Sequence, residues 1–285
     1  YKVYFSDGAQ IVEPHASGII REVEAAQDGA SDAVPKSEGK VVRIGSEVDQ
    51  AYREALQELV VEGEMLKREG AKLKVVFTPL HGTGIRIVPA MLKSVGVPVS
   101  IVPAQEKGDG RFPTVRSPNP ENGEALAMGI ELAKKEKADL VVATDPDADR
   151  MGVALRNAQG EYELITGNQI GSLLAAYRID RMRARGWIQP GQEKSCCLIK
   201  TFVTTDLQKE MAESVGMKCV ETLTGFKYIG EKLGIYEKQA GGRGAMGAEE
   251  WRRKRMERST FFVFGGEESY GYSGGDFVRD KDANG

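Results

Sequence analysis

The alternation of short apolar runs with amphipathic segments restricts the fold of this chain more than any other feature. Strands are predicted at 73–77, 97–102 and 140–143, and helices are predicted between them at 86–95 and 121–136. Strands that alternate with helices form a largely parallel sheet covered by helices on both faces. The pattern therefore predicts an α/β fold with three layers.

The same alternation begins again after residue 155, which predicts a second unit of the same kind. The elements expected in this unit are strands at 162–165, 196–200, 218–221 and 261–264 and helices at 168–185 and 205–215. A glycine-rich and then basic stretch at 239–260 interrupts them and is interpreted as a solvated insertion. The sequence thus predicts repeated α/β/α domains with mixed, largely parallel sheets.

The first 40 residues have no core of their own. Residues 1–12 place two β-prone runs around a glycine turn, which predicts a hairpin. Residues 26–40 are polar and predict a connector, and apolar residues at helical spacing over 47–68 predict one amphipathic helix. We therefore expect a boundary near residue 40, a domain over 41–155 and another over 156–285.

Three aspartates at alternate positions follow the predicted strand at 140–143. Ligands of such sheets bind beyond the carboxyl ends of the strands, which is where Asp145, Asp147 and Asp149 fall. Pro146 stiffens the turn, and three converging carboxylates would repel one another unless a cation lay between them. The pattern predicts a site for a hard divalent cation.

Three other interpretations of these aspartates exist, and the first of them, an EF-hand, fails. An EF-hand loop has the same initial spacing but needs Gly and Glu where this chain has Arg150 and Arg156. A phosphatase with an aspartate nucleophile also has D-x-D after a strand, but a Gly-Thr pair normally follows its second aspartate, and here Ala148 and Asp149 follow. A solvated acidic turn is the third alternative. Arg150 favours a site, because its planar guanidinium binds phosphate or carboxylate beside a metal.

Two further loops follow predicted strands. Residues 78–84 form a glycine-containing turn whose backbone N–H groups can hold an anion, although His81 is interpreted as a structural turn residue. Residues 265–272 combine glycines with Glu267 and Ser269, which suit a polyol because they hydrogen-bond to sugar hydroxyls. A plain glycine-rich turn is the alternative for this second loop.

Composition excludes some classes of protein. The 39 basic and 42 acidic residues create no strong field, so nucleic acid is not an expected partner. No apolar run approaches the roughly 20 residues of a membrane span, and no signal-peptide pattern is present. Cys196, Cys197 and Cys219 are interpreted as buried thiols in a reducing compartment, so a cytoplasmic protein is expected. Nothing in the sequence predicts an oligomeric state.

Five motifs in chain order resemble those of the α-D-phosphohexomutase superfamily, the phosphoglucomutases and phosphomannomutases. They are T-P-L-H-G-T-G, D-P-D-A-D-R, T-G-F-K, G-E-E-S-Y-G and R-D-K-D, and they cover essentially the whole chain. The family more often has Gly where this chain has Pro146, and often where it has Ala148. The P-D-A-D form and the Y-G-Y ending look most like the branch of phosphoglucomutases that includes phosphopentomutase-like enzymes. The resemblance implies a four-domain enzyme of which this chain supplies the end of domain one, domain two and most of domain three.

The resemblance also implies roles for particular residues. Asp145, Asp147 and Asp149 would hold Mg²⁺, whose remaining protein ligand would be a phosphoserine oxygen. Arg150 would help to neutralise the transferred phosphoryl group, and Lys281 matches a candidate acid/base lysine.

The sugar phosphate substrate would be held by a second set of residues. Glu267 and Ser269 would bind sugar hydroxyls, and Thr224 and Gly225 would belong to a loop that reads sugar orientation. The implied activity is that of a phosphoglucomutase, an isomerase that transfers phosphoryl groups between the 1- and 6-positions of a hexose phosphate through a phosphoserine and a sugar bisphosphate. A phosphomannomutase, a phosphopentomutase and a non-catalytic module that binds Mg²⁺ or sugar phosphate are the alternatives.

Two parts of the family pattern are missing. The serine loop, of the type T-x-S-H-N-P, does not occur, and Ser117 in S-P-N-P lacks the histidine and is interpreted as a decoy. The carboxy-terminal phosphate-binding domain is not represented either. Because the chain begins with Tyr1, we expect it to start inside a longer protein, and we expect the fragment by itself to be inactive.

Overall fold

The computed structural model of the chain describes residues 2–28 and 39–281, and within them the predicted α/β fold is confirmed. The helices are α1 (His15–Asp28), α2 (Ser46–Gln57), α3 (Gly63–Glu69), α4 (Val88–Ser94), α5 (Pro103–Glu106), α6 (Gly123–Glu136), α7 (Gly167–Ala184), α8 (Leu207–Ser214), α9 (Phe226–Ala240) and α10 (Ala248–Arg258). The strands are β1 (Val75–Thr78), β2 (Val99–Ile101), β3 (Leu140–Thr144), β4 (Met151–Arg156), β5 (Tyr162–Ile165), β6 (Cys196–Thr201), β7 (Lys218–Thr222), β8 (Phe261–Gly266) and β9 (Tyr272–Ser273). None of the helices in these described residues is long and apolar enough to cross a membrane.

Five strands form the first sheet, in the order β2-β1-β3-β4-β5. Strands β2, β1 and β3 are parallel, whereas β4 and β5 are antiparallel to their neighbours. Every residue of β1 is buried, as expected for a strand inside a covered parallel sheet. Helix α6 packs on β1 and β3, and at Gly129 it comes so close that a Cβ would lie 2.8 Å from Val141 Cγ1. Helix α6 is therefore packed closely against the first half of β3.

Four strands form the second sheet, in the order β7-β6-β8-β9. Strands β7, β6 and β8 are parallel, and β9 is antiparallel to β8. Side chains of β6 alternate between two cores, because Cys196 and Leu198 pack with α7 whereas Cys197 and Ile199 pack with α9. Helices thus cover both faces of this sheet and complete the three layers.

The two sheets repeat one order of elements. In each, a central strand is followed by helix, edge strand, helix, third strand and an antiparallel return strand. Strands β3 and β8 therefore hold equivalent positions, and so do the loops that follow them. The units differ in three elements: α10 lies between α9 and β8 in the second, whereas α5 and β5 occur in the first.

Strand β5 belongs to a different sheet from the one expected. The sequence places it at the opening of the second unit, but it pairs with β4 along Arg156↔Tyr162 to Val153↔Ile165. The antiparallel return of β4 offers an unpaired edge, and the period of a strand does not reveal which edge it will cover. The break between the sheets therefore follows Ile165 and not residue 155.

The single helix predicted over 47–68 is instead two helices, α2 and α3. The chain turns between them, and Val61 in this turn is buried in the core of the second unit. A continuous helix would carry Val61 away from that core. Tertiary packing has therefore overridden a local pattern that favours one helix.

The interpretation of residues 239–260 as a solvated insertion is wrong. Helix α10 lies within this stretch, and its Trp251 and Arg255 side chains are buried. The Arg255 guanidinium pairs with Asp276 at 2.7 Å and lies 5.2 Å from the Trp251 ring centroid. A paired arginine that stacks on an aromatic ring can be buried. The number of charged residues in this stretch therefore overestimated its exposure to solvent.

The amino-terminal segment contains one confirmed element and one that was not predicted. An antiparallel bridge joins Tyr4 and Gln10, as the hairpin prediction requires. Helix α1 was not predicted, and it includes residues 26–28 of the expected polar connector. Most of that connector, 29–38, lies outside the described residues.

One hydrophobic core extends across the two units. It contains α7 residues such as Ile170 and Met182, and Met151, Val153 and Ile165 of the first sheet pack against it. An apolar interface of this kind holds two domains as one body.

Arg178 of α7 adds a polar connection inside that core. Its guanidinium donates hydrogen bonds to the carbonyl oxygens of Val263 (2.7 Å), Leu59 (3.3 Å) and Gly274. Burial lowers the pKa of Arg178 to about 10. Among the described residues no carboxylate pairs with it, so carbonyl dipoles alone offset its charge.

Candidate metal centre and the loop beside it

The aspartate loop, residues 145–150, is a tight turn between β3 and β4. Asp145 Oδ1 accepts hydrogen bonds from the backbone N–H groups of Asp149 (3.0 Å) and Arg150 (3.1 Å). Ala148 has a φ of 60°, in the left-handed region that costs an L-residue roughly 1–2 kcal/mol. The loop therefore closes on its own first side chain and accepts some backbone strain to do so.

This turn brings the three predicted aspartates together. One carboxylate oxygen from each of Asp145, Asp147 and Asp149 lies within 4.8 Å of the others. Asp145 and Asp149 are buried, whereas the Asp147 side chain is 61% exposed. The cluster is thus open to solvent on one side only.

The donor set fits a hard divalent cation. Asp149 Oδ1 is buried and accepts no hydrogen bond from any described residue, although Arg150 Nε lies 3.5 Å from it. A buried carboxylate oxygen without a donor is costly unless a cation approaches it. Three carboxylates with one exposed side suit an ion that keeps waters or takes another ligand, as Mg²⁺ does.

The carboxyl groups of Asp145 and Asp149 influence each other. Burial, and then the neighbouring Asp149, raise the pKa of Asp145 to about 6. Burial also acts to raise the pKa of Asp149, but the hydrogen bond with Asp145 and the charges of Lys281, Lys2 and Arg150 hold it below its ordinary value. A metal ion must therefore displace a proton from Asp145 at mildly acidic pH.

Cations surround the cluster. Arg150 Nε donates to Asp145 Oδ2 at 2.8 Å, and its Nη1 lies 3.5 Å from Glu121 Oε1. Lys2 Nζ lies 3.4 Å from Asp149 Oδ2 and 3.8 Å from an oxygen of Asp147. The sequence analysis did not identify Lys2, because one lysine in a β-prone run gives no signal of a site.

The glycine-containing turn at 78–84 supports the aspartate loop. A Cβ on Gly82 would lie 2.2 Å from Pro146 Cα, so only glycine permits this approach of the two backbones. The backbone N–H of Thr83 donates to the carbonyl of Pro146 at 2.8 Å. The N–H of Thr83, one of those expected to be able to hold an anion, is therefore used to fix the aspartate loop.

His81 has the structural role that was expected of it. It is buried, and its ring nitrogens lie 3.0 Å from the Lys107 carbonyl and 2.8 Å from Thr114 Oγ1. Both nitrogens are thus engaged away from the aspartates.

The glutamate loop, residues 267–271, follows β8 and carries Glu267 with both carboxylate oxygens engaged. Oε1 accepts a hydrogen bond from the backbone N–H of Gly225 (2.9 Å) at the start of α9, and Oε2 lies 3.4 Å from Lys281 Nζ. Lys281 Nζ also lies 3.5 Å from Asp149 Oδ2. Glu267 and Lys281 therefore connect this loop to the aspartates.

The two loops also touch through their backbones. The N–H of Met151 donates to the Tyr270 carbonyl at 2.9 Å. A Cβ on Gly271 would lie 2.5 Å from Lys281 Cδ and 3.3 Å from the Asp149 carbonyl oxygen. The predicted residues Asp149, Gly225, Glu267 and Lys281 thus form one continuous set of contacts.

Two predicted substrate-binding residues lie at the edge of this set. Thr224 is exposed beside Gly225, and Ser269 is half-buried in the glutamate loop. Within the described part of the chain, neither side chain hydrogen-bonds to the aspartates or to Lys281. Their hydroxyl groups are therefore not used to hold the cluster together.

Comparisons with known proteins agree with this architecture. Two family models match, "Phosphoglucomutase/phosphomannomutase, alpha/beta/alpha domain II" over residues 50–160 and the corresponding domain III over residues 166–284. The phosphoglucomutase of Staphylococcus aureus (strain MRSA252) is 36% identical over 286 residues, which is 99% of this chain and 46% of that protein. The chain thus spans about half the length of the curated relatives that it matches.

Solved structures share the fold. A Thermus thermophilus protein provisionally named as a phosphomannomutase aligns with a TM-score of 0.64 at 23% identity, over 97% of this chain and 52% of that one. A phosphoglucomutase/phosphomannomutase family protein from Burkholderia thailandensis aligns with a TM-score of 0.62 at 17% identity, over 97% and 48%. By its two matched domains, this chain belongs to the phosphoglucomutase/phosphomannomutase family.

Proposed function

We propose that the protein to which this chain belongs is a phosphoglucomutase, an isomerase that moves a phosphoryl group between positions 1 and 6 of a hexose phosphate. The observation that carries the proposal is the contact of a three-carboxylate cluster with the glutamate loop through Lys281. Transfer of a phosphoryl group to a sugar requires that the charge of the phosphoryl group is neutralised and that the sugar hydroxyls are bound. The match to a phosphoglucomutase over 99% of the chain adds support.

In this proposal Asp145, Asp147 and Asp149 hold Mg²⁺, which when bound would neutralise charge on the phosphoryl oxygens. Arg150 lies against Asp145 and offers its outer guanidinium nitrogens to the same group. The role of these side chains is electrostatic, because the transition state of phosphoryl transfer demands positioning and charge more than covalent chemistry.

The sugar is held by the glutamate loop, which contacts Lys281 on the opposite side from the aspartates. Glu267 accepts hydrogen bonds from sugar hydroxyls, with Ser269 and Thr224 as further hydroxyl partners. Lys281 Nζ lies between two carboxylates and can pass a proton to or from the hydroxyl that reacts. Lys2 is a second cation within reach of the same aspartates and belongs to the proposal as an alternative proton carrier.

This chain would supply part of the whole enzyme. Residues 1–40 would be the end of domain one, and the following two sheets would be domain two and most of domain three. A phosphoserine, which the reaction needs, is expected outside these residues because no T-x-S-H-N-P sequence occurs in them. The buried free thiols Cys196 and Cys197 support a cytoplasmic location.

The test compares the product of the complete gene with the isolated chain. Both are assayed with Mg²⁺, glucose 1,6-bisphosphate and the 1-phosphates of glucose, mannose, ribose and deoxyribose. We expect the complete protein to prefer glucose 1-phosphate and the chain to turn over nothing. Preference for mannose would indicate a phosphomannomutase, and preference for a pentose would indicate a phosphopentomutase. Steady conversion by the isolated chain would contradict the assigned division of parts.

A non-catalytic module that binds Mg²⁺ or sugar phosphate is the less favoured alternative, because the matched domains and the relative over 99% of the chain are those of phosphoglucomutases. Mn²⁺ titration followed by electron paramagnetic resonance separates the possibilities. Binding of Mn²⁺ by the chain, together with activity of the complete protein, supports the enzyme. Binding without activity of the complete protein supports the module.

A further inference from the structure

Glu268 stands next to Glu267 in the glutamate loop, but its side chain faces the opposite way. Glu268 Oε2 accepts hydrogen bonds from Thr201 Oγ1 (3.1 Å) and Thr204 Oγ1 (3.2 Å), just after β6. These two hydroxyls are buried and lie 2.7 Å from each other. Glu268 is therefore attached to the floor of the second unit, while Glu267 faces Lys281 and Gly225.

The threonines are themselves held in place. Lys200 is fully buried, and its Nζ donates to the Thr204 carbonyl at 2.9 Å. The same Nζ pairs with Asp206 at 3.1 Å and with Glu221 at 3.0 Å. The hydroxyls that meet Glu268 thus come from a turn with its own charged support.

The Glu268 carboxylate is not half of an ion pair within the described part of the chain. Among the described residues no Lys or Arg lies within ion-pair distance of it, and its recorded side-chain partners are the two threonine hydroxyls. Lys200 is nearby in sequence to Thr201 but is engaged by other carboxylates. The carboxylate therefore acts as a fixed acceptor for two neutral donors and not as half of an ion pair.

The backbone of Glu268 is confined as well. Its carbonyl oxygen lies so close to Gly167, the first residue of α7, that a Cβ there would be 1.9 Å away. At the other end of the turn, the Tyr270 carbonyl accepts a hydrogen bond from Met151. A displacement of Glu268 would therefore move the turn that carries Glu267.

We propose that Glu268 is the positioning residue of the glutamate loop, which it holds through Thr201 and Thr204 in the geometry that presents Glu267 to the sugar hydroxyls. This inference rests on the proposed function for its effect on substrate. Independently of any substrate, the hydrogen bond from the Gly225 N–H to Glu267 depends on Glu268.

The first test measures kinetics of the complete gene product with glucose 1-phosphate. Glu268→Ala should raise KM at least about tenfold, because a small misplacement of a binding group is enough for such a loss. Glu268→Gln keeps an acceptor oxygen and should stay within about threefold of the native KM. Thr201→Val combined with Thr204→Val removes both donors and should reproduce the Glu268→Ala effect, and adding Glu268→Ala to this pair should cause no further loss. In every variant the Mn²⁺ affinity should remain within about twofold, because the aspartate loop closes on itself.

Glu249→Gln, an exposed carboxylate on α10, is the matched control and should leave KM unchanged. A native KM for Glu268→Ala would overturn the inference. A KM for Glu268→Gln as high as that for Glu268→Ala would also overturn it, since the charge of Glu268 and not its position would then matter. If Glu268→Ala does not fold, the threonine pair and Glu268→Gln decide the question.

The second test needs no activity and uses the chain itself. Hydrogen exchange of the Gly225 amide should become at least about tenfold faster in Glu268→Ala, because its acceptor Glu267 is displaced. Unchanged exchange would overturn the inference. Failure of the native complete protein to convert any sugar phosphate would contradict the proposed function, whereas this exchange measurement would still test the positioning role.

Discussion

The aspartate loop and the glutamate loop occupy equivalent positions in the two sheets but are built in opposite ways. Each follows the third parallel strand and leads into an antiparallel return. Most of the hydrogen bonds that close the aspartate loop lie within it, from Asp149 and Arg150 to Asp145, and Thr83 adds one from outside to the Pro146 carbonyl. The glutamate loop is held by Gly225, Lys281 and the two threonines, which lie far away in sequence.

This difference separates the two tasks of the site. A metal cluster that is fixed locally keeps its geometry when distant parts of the chain change. A loop that is fixed by distant residues can be adjusted by substitutions that never touch a substrate. We therefore expect metal binding to be robust and sugar binding to be sensitive to distant substitutions.

The largest expected effect is on the aspartate loop. Asp147→Ala should abolish Mg²⁺ or Mn²⁺ binding by the chain, with an affinity loss of at least about 100-fold, because it removes one of three carboxylate ligands. Calorimetric titration measures the loss. The melting temperature should hardly change, since the Asp147 side chain is exposed. Asp180→Ala removes a similarly exposed aspartate from α7 and should leave binding intact. Retained affinity in Asp147→Ala would remove the basis for the metal centre.

The next effect is on the glutamate loop, which a substitution at Gly167 should disturb without affecting the metal site. Gly167→Ala places a Cβ 1.9 Å from the Glu268 carbonyl, and this overpacking should lower the free energy of unfolding by about 1–3 kcal/mol. Gly123→Ala is the matched control at the first residue of α6, where the new Cβ would lie 3.6 Å from Leu164. Urea unfolding measures both variants. Metal affinity of Gly167→Ala should stay native, and a parallel loss of metal affinity would show that the two loops are not independent.

Acid should weaken metal binding at an unusually high pH. With the pKa of Asp145 raised to about 6, roughly one tenth of this carboxyl is ionised at pH 5, so affinity should be about tenfold weaker at pH 5 than at pH 7. An aspartate with the ordinary pKa of 3.8 would cause this loss only near pH 3. Without metal, the free energy of unfolding should fall as pH rises from about 4 to about 6, because the folded chain keeps a proton that the unfolded chain has lost. Titrations at pH 5, 6 and 7 test this, and equal affinities would contradict it.

The smallest effect concerns strain within the aspartate loop. Ala148→Gly should increase the free energy of unfolding by about 0.5–1 kcal/mol, because glycine adopts the φ of 60° without a steric cost. Ala158→Gly, in an exposed turn without a positive φ, should be neutral or destabilising. Thermal unfolding of the two variants measures the difference. A loss of stability in Ala148→Gly would mean that the loop is not strained.

Both loops were predicted from the sequence, and the aspartate loop was predicted with the more specific chemistry. Asp145, Asp147 and Asp149 alternate directly after an apolar strand, so their spacing alone predicts convergence. The strand and helix alternation predicted both sheets for the same reason, since each signal lies within a few neighbouring residues. Single residues such as Gly225 and Lys281 were identified only through resemblance to a family.

The parts that escaped prediction depend on contacts between distant segments. The side chain of Lys2 reaches Asp149 only because the chain brings its first residues to the end of β3. Strand β5 joins the first sheet because β4 leaves an edge to cover, and α10 is buried because Asp276 neutralises Arg255. The threonines that hold Glu268 have no motif at all. None of these contacts produces a periodic pattern in the sequence from which it could be predicted.

The guanidinium of Arg178 has a consequence for how the molecule unfolds. Its carbonyl partners lie in two distant segments, one at Leu59 and the other the β8–β9 hairpin with Val263 and Gly274, so its bonds are complete only when both segments are in place. Release of either segment would leave a buried charge with fewer acceptors, which raises the cost of every partly unfolded form. The segment around Leu59 and the second sheet should therefore melt in a single cooperative transition and not one after the other.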